Sequence, residues 1–158
     1  MKTEKLAARL ILRLKERGQT VATAESCTGG GVGHALTAVA GSSAAYTGGV
    51  ISYTNAVKEE ILGVPAEILR EYGAVSSQTA QAMARGVRRL LHTDFGISVT
   101  GLAGPDGDGS GKPVGLVYIG VDWKDGGEVR EFIFPGDRAS VRAQAVHEAL
   151  ELLEAVLE

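Results

Sequence analysis

The stretch Thr23–Gly33, TAESCTGGGVG, sets a threonine, a glutamate, a serine, the only cysteine and a second threonine before three consecutive glycines. The short β-rich run TVATA (20–24) precedes it, and a segment of small residues, VGHALTAVAG (32–41), follows as a helix ending at Gly41. Residues 25–30 therefore fall at a strand-to-helix turn. Free N–H groups and the positive end of a helix dipole at such a turn suit an anion or a developing oxyanion. Glycines let backbone approach a ligand closely. Ser26 would stand at the mouth of the turn, like a nucleophile elbow in geometry though not in its G-x-S-x-G pattern. The plainer reading is a helix cap at Ser26 or Thr28 with glycines for tight packing. Cys27 reads as a buried small hydrophobe rather than a nucleophile.

Working outward, strand and helix patterns alternate. Leu6, Leu10 and Leu14 recur at helical spacing ahead of a Gly18 stop. YTGGVISYT (46–54) predicts a strand weakened by Gly48 and Gly49. Asn55 is expected to cap a short helix, AVKEEILG, and Pro65 to open another. Ser76 or Ser77 caps a longer helix through Leu91, with Ala80, Met83, Ala84, Val87 and Leu91 on one face. FGISVTG (95–101) reads as a buried strand. VGLVYIGVDW and EVREFIFP flank KDGG, a hairpin pattern. Asp137 caps a last helix with Val141, Ala145, Ala149, Leu153 and Val156 at core spacing. Helices between the early strands require parallel pairing, and the late hairpin adds an antiparallel pair. The predicted fold is a three-layer α/β/α sandwich whose mixed sheet is mostly parallel.

The bulk numbers agree with one domain, 1–158. Of the 158 residues, 44% are hydrophobic and 22% charged, ordinary for a globular chain of this size. The 22 glycines are about twice the usual ~7%. A net charge of -3 argues against broad binding to nucleic acid or to an anionic membrane. A single cysteine forms no internal disulfide, so a reducing cytoplasm is the expected compartment. The first 18 residues are too charged for a signal peptide or a membrane span.

Three further stretches carry chemistry. Lys58, third in the helix that Asn55 would cap, sits where a capping box places Glu or Gln and where the dipole disfavours a cation. It is either a surface lysine or an amine made easier to deprotonate, able to serve as base for a serine. Moving a lysine pKa from ~10.4 to ~7 takes roughly 4.6 kcal/mol, of which a dipole supplies at most ~2, so the second reading demands burial. VTGLAGPDGDGSGKPVG (99–115) follows a strand and reads as a flexible connection or a shaped binding loop. In FPGDRASVR (134–142), Arg138 and Arg142 share a helix face near its N-terminus, a pairing that suits phosphate. Arg138 paired with the Asp137 cap is the plainer alternative.

Other patterns fail. DGDGSGK lacks the bidentate Glu of a calcium loop and the spacing of a phosphate-binding P-loop. His34, His92 and His147 are scattered, so no metal and no cofactor is expected. Arg85, Arg88, Arg89 and His92 read as a solvated basic face.

Six segments in order, AESCTGG, GSSAAYTGGVISYTNAVKEEILGV, GAVS, VTGLAGPDG, KPVG and FPGDR, cover nearly the whole chain. Together they resemble the CinA C-terminal domain family, also known as the nicotinamide mononucleotide deamidase family, in its stand-alone form. The resemblance implies an α/β/α domain that hydrolyses the carboxamide of nicotinamide mononucleotide to nicotinate mononucleotide and ammonia. It further implies Ser26 as nucleophile, Lys58 as its base, Tyr53 in the same motif, and Thr100 and Arg142 near the substrate. Thr54 stands where many relatives carry serine, which keeps the hydroxyl. On this reading Thr28, Gly29 and Gly30 hold the oxyanion, while Gly101, Gly104 and the rest of the 101–111 loop, with Arg142, hold ribose and phosphate. A homo-oligomer, with a dimer favoured, is expected, and neither nucleic acid nor membrane. The alternative is a non-catalytic module of the same fold that binds a pyridine nucleotide.

Overall fold

The computed structural model describes residues 2–158. Helix α1 (Lys2–Arg17) leads into strand β1 (Val21–Glu25). Then come α2 (Gly31–Thr37), a 3-10 turn (Ser42–Ala44), β2 (Tyr46–Ile51), α3 (Asn55–Glu60), α4 (Ala66–Tyr72) and α5 (Ser77–Leu91). Strands β3 (Phe95–Gly101), β4 (Leu116–Trp123) and β5 (Gly126–Ile133) precede the last helix, α6 (Arg138–Leu157).

The five strands lie in the order β2-β1-β3-β4-β5. β1 pairs parallel with β2 on one side and β3 on the other. β4 runs against both β3 and β5, so four of the five strands point one way and β4 alone is reversed. The expected three-layer sandwich is therefore present. α1, α2 and α6 pack together on one face of the sheet, and α5 lies on the other with α4 against it.

Strand alternation explains the two layers. Val21, Phe95, Ile97, Val99, Val117, Ile119 and Val121 join Leu6, Leu10, Leu14, Val141, Ala145 and Leu153 in one core. The alternate residues, Ala22 and Ala24, meet Met83 and Val87 of α5 in a second. That second face is paved with small residues. A Cβ on Gly96 would collide with the Ala84 carbonyl, and one on Gly120 would lie 2.8 Å from Ser98 Oγ. α5 thus sits close against β3 and β4, and Ser98 donates to the Ala80 carbonyl at 2.5 Å.

Several boundaries differ from the sequence reading. The cap of α3 is Thr54, whose Oγ1 accepts from Val57 N; Asn55 is the first helical residue. α2 stops at Thr37, and the chain reaches β2 through the 3-10 turn. β2 ends at Ile51, because Ser52 turns away towards α3. In the hairpin only Lys124 and Asp125 form the turn, while Gly126 pairs with Trp123. Ser76 is the α5 cap and Asp137 caps α6 as expected.

The order β2-β1-β3 has a functional consequence. The connection leaving β1 runs through α2 to one side, and the connection into β3 runs through α5 on the opposite face. Between the carboxyl ends of β1 and β3 the chain diverges and leaves a crevice, the place where open α/β sheets take ligands. Ser26 follows β1, and Thr100 and Gly101 end β3.

Candidate active site

Glu25 organises the turn in which the nucleophile candidate sits. Its carboxylate, nearly inaccessible to solvent, accepts from Thr28 Oγ1 (2.7 Å), Val32 N (2.8 Å) and Gly33 N (3.0 Å). The positive end of α2 is therefore neutralised by the chain's own carboxylate. Gly29 N donates to the Ser26 carbonyl at 3.1 Å and Gly31 N to that of Thr28 at 3.0 Å. Among the described residues, no other residue takes the N–H groups of Cys27 and Thr28.

This arrangement revises the expected anion cradle. Gly29 and Gly30 take φ of +58° and +103°, the left-handed turn that glycine tolerates. Gly31 lets α2 meet α6, since a Cβ there would stand 2.8 Å from Val146 Cγ2. The glycine run shapes the turn and its packing. Thr28, Gly29 and Gly30 do not line the cavity in front of Ser26.

Across the crevice, the segment Ser52–Lys58 brings in the amine. Ser52 N donates to the Glu25 carbonyl at 2.8 Å, which fixes that segment against the end of β1. Lys58 is only 1% exposed. Its Nζ lies 3.0 Å from Ser26 Oγ, 2.7 Å from the Ser52 carbonyl and 3.3 Å from that of Tyr53. No carboxylate forms an ion pair with it among the described residues. Desolvation lowers its pKa from the ordinary lysine range to about 8 and outweighs the opposing effect of Cys27. The cause is burial, not a helix terminus, because Lys58 occupies the last turn of the six-residue α3. Burial pushes the Cys27 thiol up to about 11, so Cys27 stays protonated and is a poor nucleophile.

A cavity of about 280 Å³ opens onto this pair, at the small end of the ~300–1,000 Å³ typical of ligand pockets. Ser26, Cys27, Tyr53 and Lys58 form one wall, and Thr100, Gly101, Gly104 and Arg138 contribute to the others. Of the expected residues, then, Ser26, Lys58, Tyr53, Thr100, Gly101 and Gly104 come together. Thr100 Oγ1 donates to the Ala74 carbonyl at 2.8 Å, so its hydroxyl hydrogen is engaged.

Arg142 is placed otherwise. It lies behind the nucleophile turn, where Nε donates to the Cys27 carbonyl (3.0 Å) and Nη2 to the Thr28 carbonyl (3.2 Å). Arg138, one helical turn earlier, faces the cavity instead. Its Nη1 donates to the Gly104 carbonyl at 2.6 Å and its Nη2 to Tyr53 Oη at 3.3 Å. Arg138 forms no ion pair among the described residues, which leaves its charge available to a ligand anion.

The sequence reading also missed Asn55, Ala74 and Val75, all on the cavity wall; Asp106 and Asp108, also on it, lie in the 101–111 loop that the reading assigns to the substrate. Asn55 was legible only as a cap, and Ala74 and Val75 carry no chemical pattern. A larger cleft of about 570 Å³ lies between the α3–α4 connection and α5, around Ile61, Pro65, Arg85 and Arg89. It holds neither Ser26 nor Lys58. No group of three or more histidine, cysteine, aspartate or glutamate side chains is disposed to hold a metal ion among the described residues. No helix among them is long and apolar enough to cross a membrane.

The match to known proteins extends over the whole fold. A model of the CinA C-terminal domain matches residues 3–157. A CinA-like protein of Parasynechococcus marenigrum is 50% identical over 153 residues, covering 95% of this chain and 36% of that protein. One from Synechococcus sp. (strain RCC307) is 49% identical with the same coverage. The chain thus spans little more than a third of the length of these curated relatives. Among solved structures, the competence/damage inducible protein CihA from Agrobacterium tumefaciens is similar at a TM-score of 0.97 and 42% identity, covering 100% of this chain and 97% of that one. A CinA superfamily protein from Klebsiella pneumoniae 700603 is similar at 0.95 and 37% identity, covering 98% and 97%.

Proposed function

The chain belongs to the CinA C-terminal domain family, and on that premise we propose that it is an amidohydrolase converting nicotinamide mononucleotide to nicotinate mononucleotide and ammonia. One observation carries the reading: a buried lysine amine, unpaired with any carboxylate among the described residues, 3.0 Å from a serine hydroxyl at the sheet's switch point. A neutral amine has two N–H groups and one lone pair. The Ser52 and Tyr53 carbonyls are positioned to take the two hydrogens, which turns the lone pair towards Ser26 Oγ.

In this mechanism Ser26 Oγ attacks the carboxamide carbon while Lys58 Nζ takes its proton. The C–N bond of the tetrahedral intermediate then breaks, and the Lys58 ammonium gives its proton to the departing nitrogen. Ammonia leaves, and an ester joins the nicotinoyl carbon to Ser26. Water attacks the ester with Lys58 again as base, releasing nicotinate mononucleotide and free serine. The N–H group of Cys27, on the cavity wall and taken by no other residue among those described, is the candidate to hold the oxyanion. Arg138 is assigned the phosphate, because it reaches the cavity and Arg142 does not.

The test is direct. Purified chain is incubated with nicotinamide mononucleotide, and ammonia and nicotinate mononucleotide are quantified. Native protein is expected to release both in equal amounts. Ser26→Ala should bind the mononucleotide with near-native affinity and release no more than traces. Lys58→Arg should be equally inactive, since a guanidinium stays protonated at any working pH. Substantial turnover by Ser26→Ala would overturn the nucleophile. Tight binding without ammonia from native protein would favour a binding module.

A further inference from the structure

We propose that Lys112 is a positioning residue: its ammonium latches the 102–115 loop to the α4–α5 connection and so fixes two facing walls of the Ser26 cavity. The inference rests on that cavity being the substrate site.

Both walls are built from irregular backbone. The loop between β3 and β4 supplies Leu102, Ala103, Gly104, Asp106 and Asp108; the α4–α5 connection supplies Ala74 and Val75. Neither segment is held by a strand ladder. After α4 ends, four successive carbonyls, those of Tyr72, Gly73, Ala74 and Val75, are each taken by a side chain. Gly73 accepts from Ser76 Oγ (3.0 Å) and Thr79 Oγ1 (2.7 Å), and Ala74 from Thr100 Oγ1 (2.8 Å). Those donors belong to α5 with its Ser76 cap and to β3. Tyr72 (2.8 Å) and Val75 (2.5 Å) both accept from Lys112 Nζ, the only one of these donors that comes from the loop.

The base of the loop is tied separately. Leu102 N donates to Leu116 O at 2.9 Å, and Gly115 N donates to Leu102 O at 2.7 Å. Arg138 holds the Gly104 carbonyl. Beyond Gly104 the chain through Gly111 is exposed, and the side-chain hydrogen bonds there stay within Asp108–Lys112. Lys112 is thus the tie between the far part of the loop and the opposite wall. Its cation also sits at the C-terminal carbonyls of α4, where the helix dipole favours positive charge. Gly73 leaves the space: it takes a φ of +82°, and a Cβ there would stand 3.3 Å from Lys112 Nζ.

Full-length Lys112→Met and Lys112→Arg are compared with native chain by deamidation kinetics and by hydrogen exchange. Losing charge-assisted bonds to two carbonyls should raise KM for nicotinamide mononucleotide roughly tenfold while kcat stays within about threefold. The pH midpoint of kcat should not move, because Lys58 is untouched. Amides of residues 104–111 should exchange faster in Lys112→Met. Lys112→Arg should bring KM back towards native, since its fork can reach both carbonyls. Native KM and native exchange in Lys112→Met would overturn the latch. So would a loss shared by kcat and melting temperature that arginine does not rescue. If Lys112→Met does not fold, Lys112→Gln, which keeps a donor without the charge, takes its place in the same comparison. A native chain inert towards the mononucleotide would sink the deamidase reading alone, and the exchange at 104–111 would then decide the latch by itself.

Discussion

Lys58 is a cationic side chain placed where water does not reach, and this has two measurable consequences. The first is in catalysis. With a pKa of about 8, about a tenth of the amine is neutral at pH 7. If the neutral amine is the base, kcat/KM should rise with pH through about 8 and then level, well below the ~10.4 of an ordinary lysine. A flat profile between pH 6 and 9 would remove Lys58 from the base role. The second is in stability. The unfolded chain holds this proton up to ~10.4, whereas the folded chain releases it near 8. Between those values the unfolded state binds more protons, so this group's contribution to stability rises with pH. The raised Cys27 thiol acts in the opposite sense over much of the same range, so native protein alone would mask the effect. Lys58→Met isolates it. Relative to native, the variant should be favoured most at pH 7, and the advantage should shrink towards pH 10 in paired denaturation curves. The two arginines of α6 separate in the same way. Arg138→Ala should raise KM for the mononucleotide roughly ten- to a hundredfold and leave the phosphate-free nucleoside little changed, as expected for one charge-assisted bond of ~1.5–3 kcal/mol. Arg142→Ala, which loosens the Cys27–Thr28 turn, should affect both substrates alike.

At the scale of elements, the position of α5 depends on what the sheet lacks beneath it. Gly96 and Gly120 present bare backbone to Ala84 and Ala80, so the helix rests on peptide groups. Gly96→Ala would force its methyl into the Ala84 carbonyl, where rigid backbone on both sides prevents relief. Overpacking of this kind costs about 1–3 kcal/mol, read as a lower urea midpoint at unchanged m-value. The amphipathic stripe of α5 was legible from Ala80, Met83, Ala84 and Val87, all of them buried. The closeness of its approach was not, since a glycine in a strand reads only as weakening.

The whole molecule assembles one cavity from five separate segments: the residues just after β1, the stretch from Tyr53 into α3, the α4–α5 connection, the end of β3 with the β3–β4 loop, and the start of α6. Ligand binding should therefore stabilise the chain as a unit. Ser26→Ala, which retains the cavity without turnover, should gain about 2.7 kcal/mol at a mononucleotide concentration of about 100 Kd. For a chain of this length that is a rise of roughly 5–10 °C in melting temperature. Adding Arg138→Ala, which weakens binding ten- to a hundredfold, should cut the gain to about 0.4–1.4 kcal/mol at the same ligand concentration. An unchanged rise would place the phosphate elsewhere.

The sequence by itself determined the layers and the chemistry on offer. Its apolar residues recur at periods of 3.6 and 2, and local spacing decides which face each element buries. It also carried Ser26, Lys58, Gly101 and Gly104 as candidates, because reactive groups and bare backbone stand out in a linear string, while Tyr53 and Thr100 entered only through the family resemblance. Tertiary structure alone decided which of them meet. Thr28, Gly29 and Gly30 look like an anion cradle in sequence, yet Glu25 takes the Val32 and Gly33 N–H groups of the α2 N-terminus and residues 28–30 stay off the cavity wall. Arg138 and Arg142 are equivalent on a helical wheel, yet one meets the cavity and the other the back of the turn. Lys58 reads in sequence as either a surface lysine or a buried base, and only the closing of α3 over the end of β1 decides between them by removing its water. Desolvation is a property of everything packed around a group, most of it distant in sequence, so no local spacing can encode it.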